Sequence, residues 1–159
     1  MSAVVHLSSS RAKTRLQVLR TPAPPELPLT AKQKRLIRES FLKFEPALDL
    51  VGQLFFLKLF RLDPSLRAKF AGSPETQGRK FAAAMKLTMI SLNHDDGLAS
   101  TLRLLGARHR QLGIRVRHYR MMARAMIWTL EQSLQRSFTR ETRSAWTALL
   151  DQLTRILTV

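Results

Sequence analysis

His109 is the residue whose type and position in the chain most directly suggest chemistry. It follows Leu98, Leu102 and Leu105 at steps of four, three and four residues, so the four side chains share one face of a helix. A histidine that ends an apolar stripe is either a hydrogen-bonded core residue or a metal ligand that faces a pocket. The periodicity indicates only that His109 faces inward, and it leaves both interpretations open.

The chain has three other histidines, His6, His94 and His118. His94 lies in a turn signal over residues 93–97, and His118 is predicted to point away from the face that carries Tyr119. Neither is expected to act as a second ligand. Cysteine is absent, which excludes disulfides, thiolate metal sites and thiol catalysis.

The elements that must position these residues are predicted to be helices. Thr30 and Gln33 form a capping box at the start of the first helix, and Thr139 is placed to cap the last one. A short helix is expected over residues 63–70, where Asp-Pro begins the pattern, and Pro74 is expected to break the chain. No strand alternation, glycine-rich phosphate loop or internal repeat occurs. The fold class is therefore all-α.

Residues 1–29 differ in composition from the rest of the chain. They carry four basic residues before the first acid, three consecutive serines and four prolines. Such a segment is expected to be a disordered, solvated basic tail, although an arginine- and serine-rich stretch without acids also fits an organellar transit peptide. Residues 30–159 then form one domain that is long enough to bury a core.

The charge of the chain is strongly positive. Its 27 basic and 11 acidic residues give a net charge of +16, which favours anionic partners such as nucleic acid, acidic lipid headgroups or acidic proteins. No apolar run approaches the length that a membrane-spanning helix needs. A cytoplasmic protein without a transmembrane segment is expected.

Three segments of the chain resemble the globin family. They are LFFLKLFRLDPSLRAKF (54–70), QGRKF (77–81) and LGARHRQLGIRVRHY (105–119). The resemblance runs from Thr30 to about Leu157 and is greatest to bacterial single-domain haemoglobins and the globin domain of flavohaemoglobins. His109 lies 32 residues after Gln77 and ten before Tyr119, as in that bacterial pattern. The resemblance implies about seven helices around a non-covalent haem b, with reversible binding of dioxygen, nitric oxide or carbon monoxide.

The resemblance also assigns roles to individual residues. His109 is the implied iron ligand, and its other ring N–H is expected to donate to a backbone carbonyl one turn earlier. Phe70 corresponds to the haem-stacking phenylalanine, and Gln77 to the residue whose amide N–H reaches the bound gas. Phe81 would close the apolar ceiling of the pocket, and Tyr119 would lie beside the ligand histidine. Since the distal helix has no histidine, a five-coordinate or water-ligated iron is expected.

Two departures from the family pattern bear on activity. Phe56 stands where the family often has a tyrosine, and the loss of one hydrogen-bond donor to the gas would cost about 1 kcal/mol. Tyr119 is retained, but no acid follows Asp151, where the family pattern has a glutamate behind the tyrosine. Both departures favour gas binding over strong nitric oxide dioxygenase activity. Turnover would also need a separate reductase.

The basic residues leave two further functions open. Lys80 and seven arginines could pair with haem propionates, or could bind an acidic reductase or another anionic surface. The arginines are Arg103, Arg108, Arg110, Arg115, Arg117, Arg120 and Arg124. One alternative is therefore a globin-fold gas sensor or scaffold with an acidic partner. The other is a haem-free basic domain for nucleic acid or membrane, which is less favoured because Tyr119 and Trp128 are assigned to the core and are not free to stack on bases.

Overall fold

A computed structural model of the chain describes residues 29–93 and 98–159. Within these ranges the fold is all-α, as predicted, with six α-helices, three single 3₁₀ turns and no strand. The α-helices are α1 (Ala31–Phe44), α2 (Leu48–Leu62), α3 (Pro74–Ser91), α4 (Leu98–Gln111), α5 (Val116–Leu134) and α6 (Arg140–Leu157). The predicted tail over 1–29 and the predicted turn around His94 lie almost wholly outside the described residues.

The helix starts show how local sequence sets the elements. Thr30 and Gln33 make the predicted capping box, in which Thr30 Oγ1 accepts from the Gln33 backbone at 3.1 Å and Gln33 Oε1 accepts from the Thr30 backbone at 2.8 Å. Thr139 caps α6 as predicted, accepting from the backbone N–H of Thr142. The expected break before Pro74 is present, since no helix spans residues 71–73 and Pro74 is the first residue of α3, where its missing N–H is not needed.

The segment before α3 is a tight turn and not the short helix expected over residues 63–70. Only Pro64–Leu66 form a 3₁₀ turn, which Asp63 begins by accepting from the Ser65 backbone N–H at 3.0 Å. Gly72 then takes a φ of +123°, which ends any helical path and which side chains other than glycine rarely adopt. Phe70 lies in this turn, two residues before Gly72.

Helices α2, α3 and α4 pack against different neighbours. Helix α2 packs against α3 and α5, whereas α4 packs against α6, and α6 in turn contacts α1. The α2–α3 crossing is close because a Cβ atom at Gly78 would collide with the carbonyl oxygen of Asp49, and one at Gly52 would lie 2.8 Å from Phe81 Cβ. This close approach places Phe81 of α3 directly on α2.

The core between these helices is apolar and includes one large indole. Trp146 of α6 is only 1% exposed, and its Nε1 donates to Ser40 Oγ at 2.9 Å, which ties α6 to α1. Tyr119 is buried as predicted. Trp128 was also predicted to lie in the core, but it is only half-buried, with the Lys58 ammonium 4.7 Å from its ring. No described helix combines the length and apolar character that crossing a membrane requires.

Candidate functional site

His109 occupies the last turn of α4 and is half-buried. Its ring nitrogen Nδ1 lies 3.0 Å from the hydroxyl oxygen of Tyr119, which belongs to the first turn of α5. The expected partner, a backbone carbonyl one turn earlier, is therefore replaced by a side chain from the next helix. Helix α5 lies close enough to the end of α4 to present this hydroxyl to His109.

Burial shifts the pKa values of both His109 and Tyr119. Desolvation lowers the pKa of His109, so that its imidazole is neutral, and raises the pKa of Tyr119, so that its hydroxyl keeps the proton. In the tautomer with the proton on Nδ1, this N–H donates to Tyr119 Oη and Nε2 keeps its lone pair. No hydrogen bond among the described residues uses Nε2 of His109. The pair can therefore offer one neutral nitrogen donor of fixed orientation.

A continuous series of aromatic rings leads from His109 to α3. The ring of Phe70 lies 6.2 Å from that of His109, edge to face, and 5.4 Å from that of Phe56. Phe56 lies 5.0 Å from Phe55, which in turn lies 5.1 Å from Phe81. The structure thus brings Phe56, Phe70, Phe81 and His109 together in one apolar region. These rings exclude water and carry no charge, as the binding of a flat apolar group requires.

Helices α3 and α4 are supported by different neighbours. Over the described residues, α3 packs mainly on α2 and α4 on α6. Phe81 and His109 are therefore positioned independently. A neutral imidazole whose Nε2 has no partner among the described residues, next to uncharged aromatic rings, is a donor set that fits a haem.

Gln77 lies in the first turn of α3, and its side chain is turned towards the chain just before the helix. Its amide nitrogen Nε2 lies 2.9 Å from the carbonyl oxygen of Phe70 and 2.5 Å from that of Ala71, and the residue is 4% exposed. The amide N–H groups of Gln77, which were expected to donate to a bound gas, donate instead to the backbone carbonyls of Phe70 and Ala71. In this arrangement Gln77 fixes the position of Phe70.

The remaining predicted residues are exposed on the helix surfaces. Lys80 is exposed on α3, beside Phe81, and the seven arginines from Arg103 to Arg124 are all exposed. Asp151 is exposed on α6 and lines a surface groove with Trp128. No carboxylate among the described residues hydrogen-bonds to His109 or Tyr119. The basic residues are therefore on the surface, and no acid among the described residues is bonded to His109.

The sequence reasoning missed His118, which it set aside as a second ligand. The side chain is 1% exposed, and Nδ1 accepts from the backbone N–H of Arg115 at 2.9 Å. His118 stands three residues after Arg115, the residue that precedes α5. Glutamate or glutamine at that position completes a capping box, and this spacing was the signal available in the sequence.

Comparisons with known proteins concern the family and the fold of this chain. The sequence profile of the family described as Globin matches residues 53–157. The flavohemoprotein of Vibrio cholerae serotype O1 is 25% identical over 123 residues, which cover 76% of this chain and 31% of that protein. This chain thus spans about a third of the length of that relative. Neuroglobin of Tetraodon nigroviridis is 28% identical over 132 residues, covering 74% of this chain and 83% of that protein.

Two further similarities concern a plant protein and a solved structure. Anaerobic nitrite reductase AHB2 of Arabidopsis thaliana is 24% identical over 143 residues, covering 80% of this chain and 90% of that protein. The crystal structure of a hexacoordinated heme protein from an anhydrobiotic tardigrade at pH 4 superposes with a TM-score of 0.75 at 20% identity, covering 84% of this chain and 96% of that one. The last similarity concerns the fold alone.

Proposed function

The chain belongs to the globin family, and from that premise we propose that it binds haem b non-covalently and binds a diatomic gas reversibly. The gas is dioxygen, nitric oxide or carbon monoxide. The observation that carries the proposal is the His109–Tyr119 pair, a neutral imidazole whose Nδ1 is hydrogen-bonded and whose Nε2 has no protein partner among the described residues. Haem would supply the ferrous iron at which the gas binds.

Each residue of the proposed site has a separate role. His109 Nε2 would donate to the iron, and the hydrogen bond to Tyr119 would fix the tautomer and ring orientation of His109. Phe56, Phe70 and Phe81 would provide apolar contact with the cofactor and exclude water. The exposed Lys80 is proposed to pair with a propionate through a charge-assisted hydrogen bond.

The aromatic side of the site determines how the gas is held. Phe56 has no hydroxyl to donate, and the amide of Gln77 is engaged by the carbonyls of Phe70 and Ala71. The gas would therefore bind among apolar rings, with few hydrogen-bond donors. We expect release to be faster than in a site where a tyrosine donates from the position of Phe56.

Turnover of nitric oxide is a narrower proposal for the same site. It is supported by the similarity to a flavohemoprotein, of which this chain spans 31%. Electrons would come from a separate reductase, and the exposed arginines of α4 and α5 fit an acidic partner of this kind. Among the described residues no carboxylate is bonded to His109 or Tyr119, which favours simple gas binding as the principal function.

The absorption spectrum tests the proposal. The purified chain, reconstituted with haem and reduced, is expected to show a Soret band at one haem per chain that shifts when carbon monoxide is added. A chain that takes up no haem stoichiometrically, or whose band does not respond to carbon monoxide, would overturn the proposal. Gln111→Ala, at an exposed position two residues after His109, is the matched control and should behave as the unmodified chain does.

A further inference from the structure

The buried His118 has no part in the proposed haem site as described so far, yet it precedes Tyr119 directly. We propose that His118 is a positioning residue: its imidazole locks the turn that begins α5 and thereby holds the Tyr119 hydroxyl against His109 Nδ1. This inference rests on the proposed function, because Tyr119 matters to activity only if His109 is the iron ligand.

The lock consists of two reciprocal hydrogen bonds. The backbone N–H of Arg115 donates to His118 Nδ1 at 2.9 Å, and the backbone N–H of His118 donates to the Arg115 carbonyl at 2.9 Å. The imidazole therefore takes the part that glutamate or glutamine plays in a capping box. Since His118 is 1% exposed, water cannot readily replace it as the acceptor.

The tautomer of His118 follows from these bonds. A neutral imidazole has one N–H and one acceptor nitrogen, so Nδ1, which accepts, leaves the proton on Nε2. The Asp63 carboxylate lies 3.9 Å from Nε2, and the Arg117 Nε lies 3.2 Å from it. Arg117 Nε is also placed to donate to Nε2, but a neutral imidazole accepts at one nitrogen only, and the shorter bond is the one from Arg115 to Nδ1. His118 thus faces the end of α2 as well as the start of α5.

His118 is close to two segments that position contacts of His109: the turn that leads to Phe70 and the first turn of α5, which holds Tyr119. Asp63 begins the turn that leads to Phe70, the ring that contacts His109. Tyr119 follows His118 within the first turn of α5, so any fraying of that turn moves the hydroxyl. A hydrogen bond of 3.0 Å is lost when its atoms separate by another half ångström or so. Further along α5, the buried Met126 is held by the core and does not need this lock.

Two variants of similar side-chain volume distinguish the hydrogen bond that His118 accepts from the packing of its ring. In His118→Asn the side-chain oxygen can occupy the place of Nδ1 and accept from Arg115, whereas His118→Leu fills the same volume without an acceptor. Resonance Raman spectra of the ferrous haem protein report the stretching frequency of the iron–histidine bond, which responds to hydrogen bonding at the other ring nitrogen. Tyr119→Phe defines the shift that follows complete loss of the hydroxyl.

The expected order of frequencies is specific. His118→Leu should reproduce most of the shift of Tyr119→Phe, and His118→Asn should stay near the unmodified protein. An unshifted His118→Leu, or an equal shift in the Asn and Leu variants, would overturn the proposal. If His118→Leu fails to fold, His118→Met replaces it, because methionine offers no oxygen or nitrogen acceptor to the Arg115 N–H and its flexible side chain fills the buried space more easily.

A second readout needs no haem. Tyr119 is the single tyrosine of the chain, so acetylation of tyrosine by N-acetylimidazole, followed by mass spectrometry, reports on this residue alone. In the haem-free protein we expect slow acetylation in the unmodified chain and in His118→Asn, and several-fold faster acetylation in His118→Leu. Equal rates would contradict the positioning role. Failure of the chain to take up haem would contradict the proposed function and leave this result unaffected.

Discussion

The two sides of the site are built on different principles. On the α4–α5 side, a polar pair from two helices, His109 and Tyr119, is joined by a hydrogen bond and adjoins a second buried imidazole, His118. On the α2–α3 side the contacts are between aromatic rings, and the polar residue there, Gln77, is turned to the backbone of its own corner. The difference indicates that one side orients a donor atom, while the other excludes water and offers little polar contact.

Among the proposed variants, removal of the His109 nitrogen donor on the α4–α5 side is expected to have the largest effect. His109→Gly should abolish stable haem retention, because the aromatic side supplies contact but no axial ligand. Imidazole added in solution should restore the Soret band by entering the space left by the side chain. Haem retention during gel filtration, with and without imidazole, measures this. Full retention in the variant without imidazole would show that His109 is not the ligand.

Removal of the amide of Gln77 should affect stability more than gas binding. Gln77→Leu leaves the carbonyls of Phe70 and Ala71 without their side-chain partner, which should lower the free energy of unfolding by about 1–3 kcal/mol. Gln132→Leu, at an exposed position of α5, is the control and should change it little. Urea unfolding measures both. A variant of unchanged stability with strongly accelerated dioxygen release would place the amide on the gas instead.

Adding a donor to the aromatic side should slow gas release. Phe56→Tyr introduces a hydroxyl among the rings, and one hydrogen bond of about 1 kcal/mol corresponds to a roughly fivefold lower dioxygen off-rate. Phe60→Tyr is the matched control, since Phe60 contacts Phe56 at 5.7 Å but also lies under the guanidinium of Arg67. Stopped-flow measurement of dioxygen release tests this. An off-rate that is the same in both variants would reject the proposed orientation of Phe56.

Acidification should produce the smallest effect, on the α4–α5 side. Burial, with Arg117 nearby, lowers the pKa of His118 below its ordinary value of 6.5. Lys69 and Arg115 also disfavour its protonation, and Asp63 opposes them. The unfolded chain therefore binds more protons at this position. The contribution of His118 to stability is complete above pH 6.5 and is lost as the pH falls through the lowered pKa of the folded state.

The measurement is the urea midpoint on either side of pH 6.5, for the unmodified chain and for His118→Asn. Asparagine does not titrate, so the variant should lose part of the decrease seen on acidification. If the two chains lose stability in parallel, His118 is not the group responsible. The comparison also separates His118 from His109, which is intact in both chains.

The prediction of the fold from sequence succeeded where the signal is local. The capping residues Thr30 and Thr139 are followed by helices because each side chain accepts from a backbone N–H only three residues away. The expected helix over 63–70 was wrong, since the pattern cannot distinguish a single 3₁₀ turn from the first turn of a helix. Trp128 was assigned to the core because periodicity does not show whether a neighbouring helix covers that face.

The site was predictable to the level of residue types and spacing. The resemblance to globins implied that Tyr119 lies beside His109, and the structure places the two side chains within hydrogen-bond distance. The direction of the Gln77 amide and the burial of His118 were not predictable. Both depend on hydrogen bonds to backbone groups whose positions are set by a corner or a helix start, and not by the residue type.

The sequence alone determined that the chain is helical, where several helices begin, and that His109 lies on an inward face. Helical periodicity and capping act over a few residues, so they can be read directly from the order of side chains. Only the tertiary structure decided that the partner of His109 is Tyr119 and that His118 is enclosed at the start of α5. The physical reason is that contacts between helices depend on how the helices cross, which many distant core residues set together.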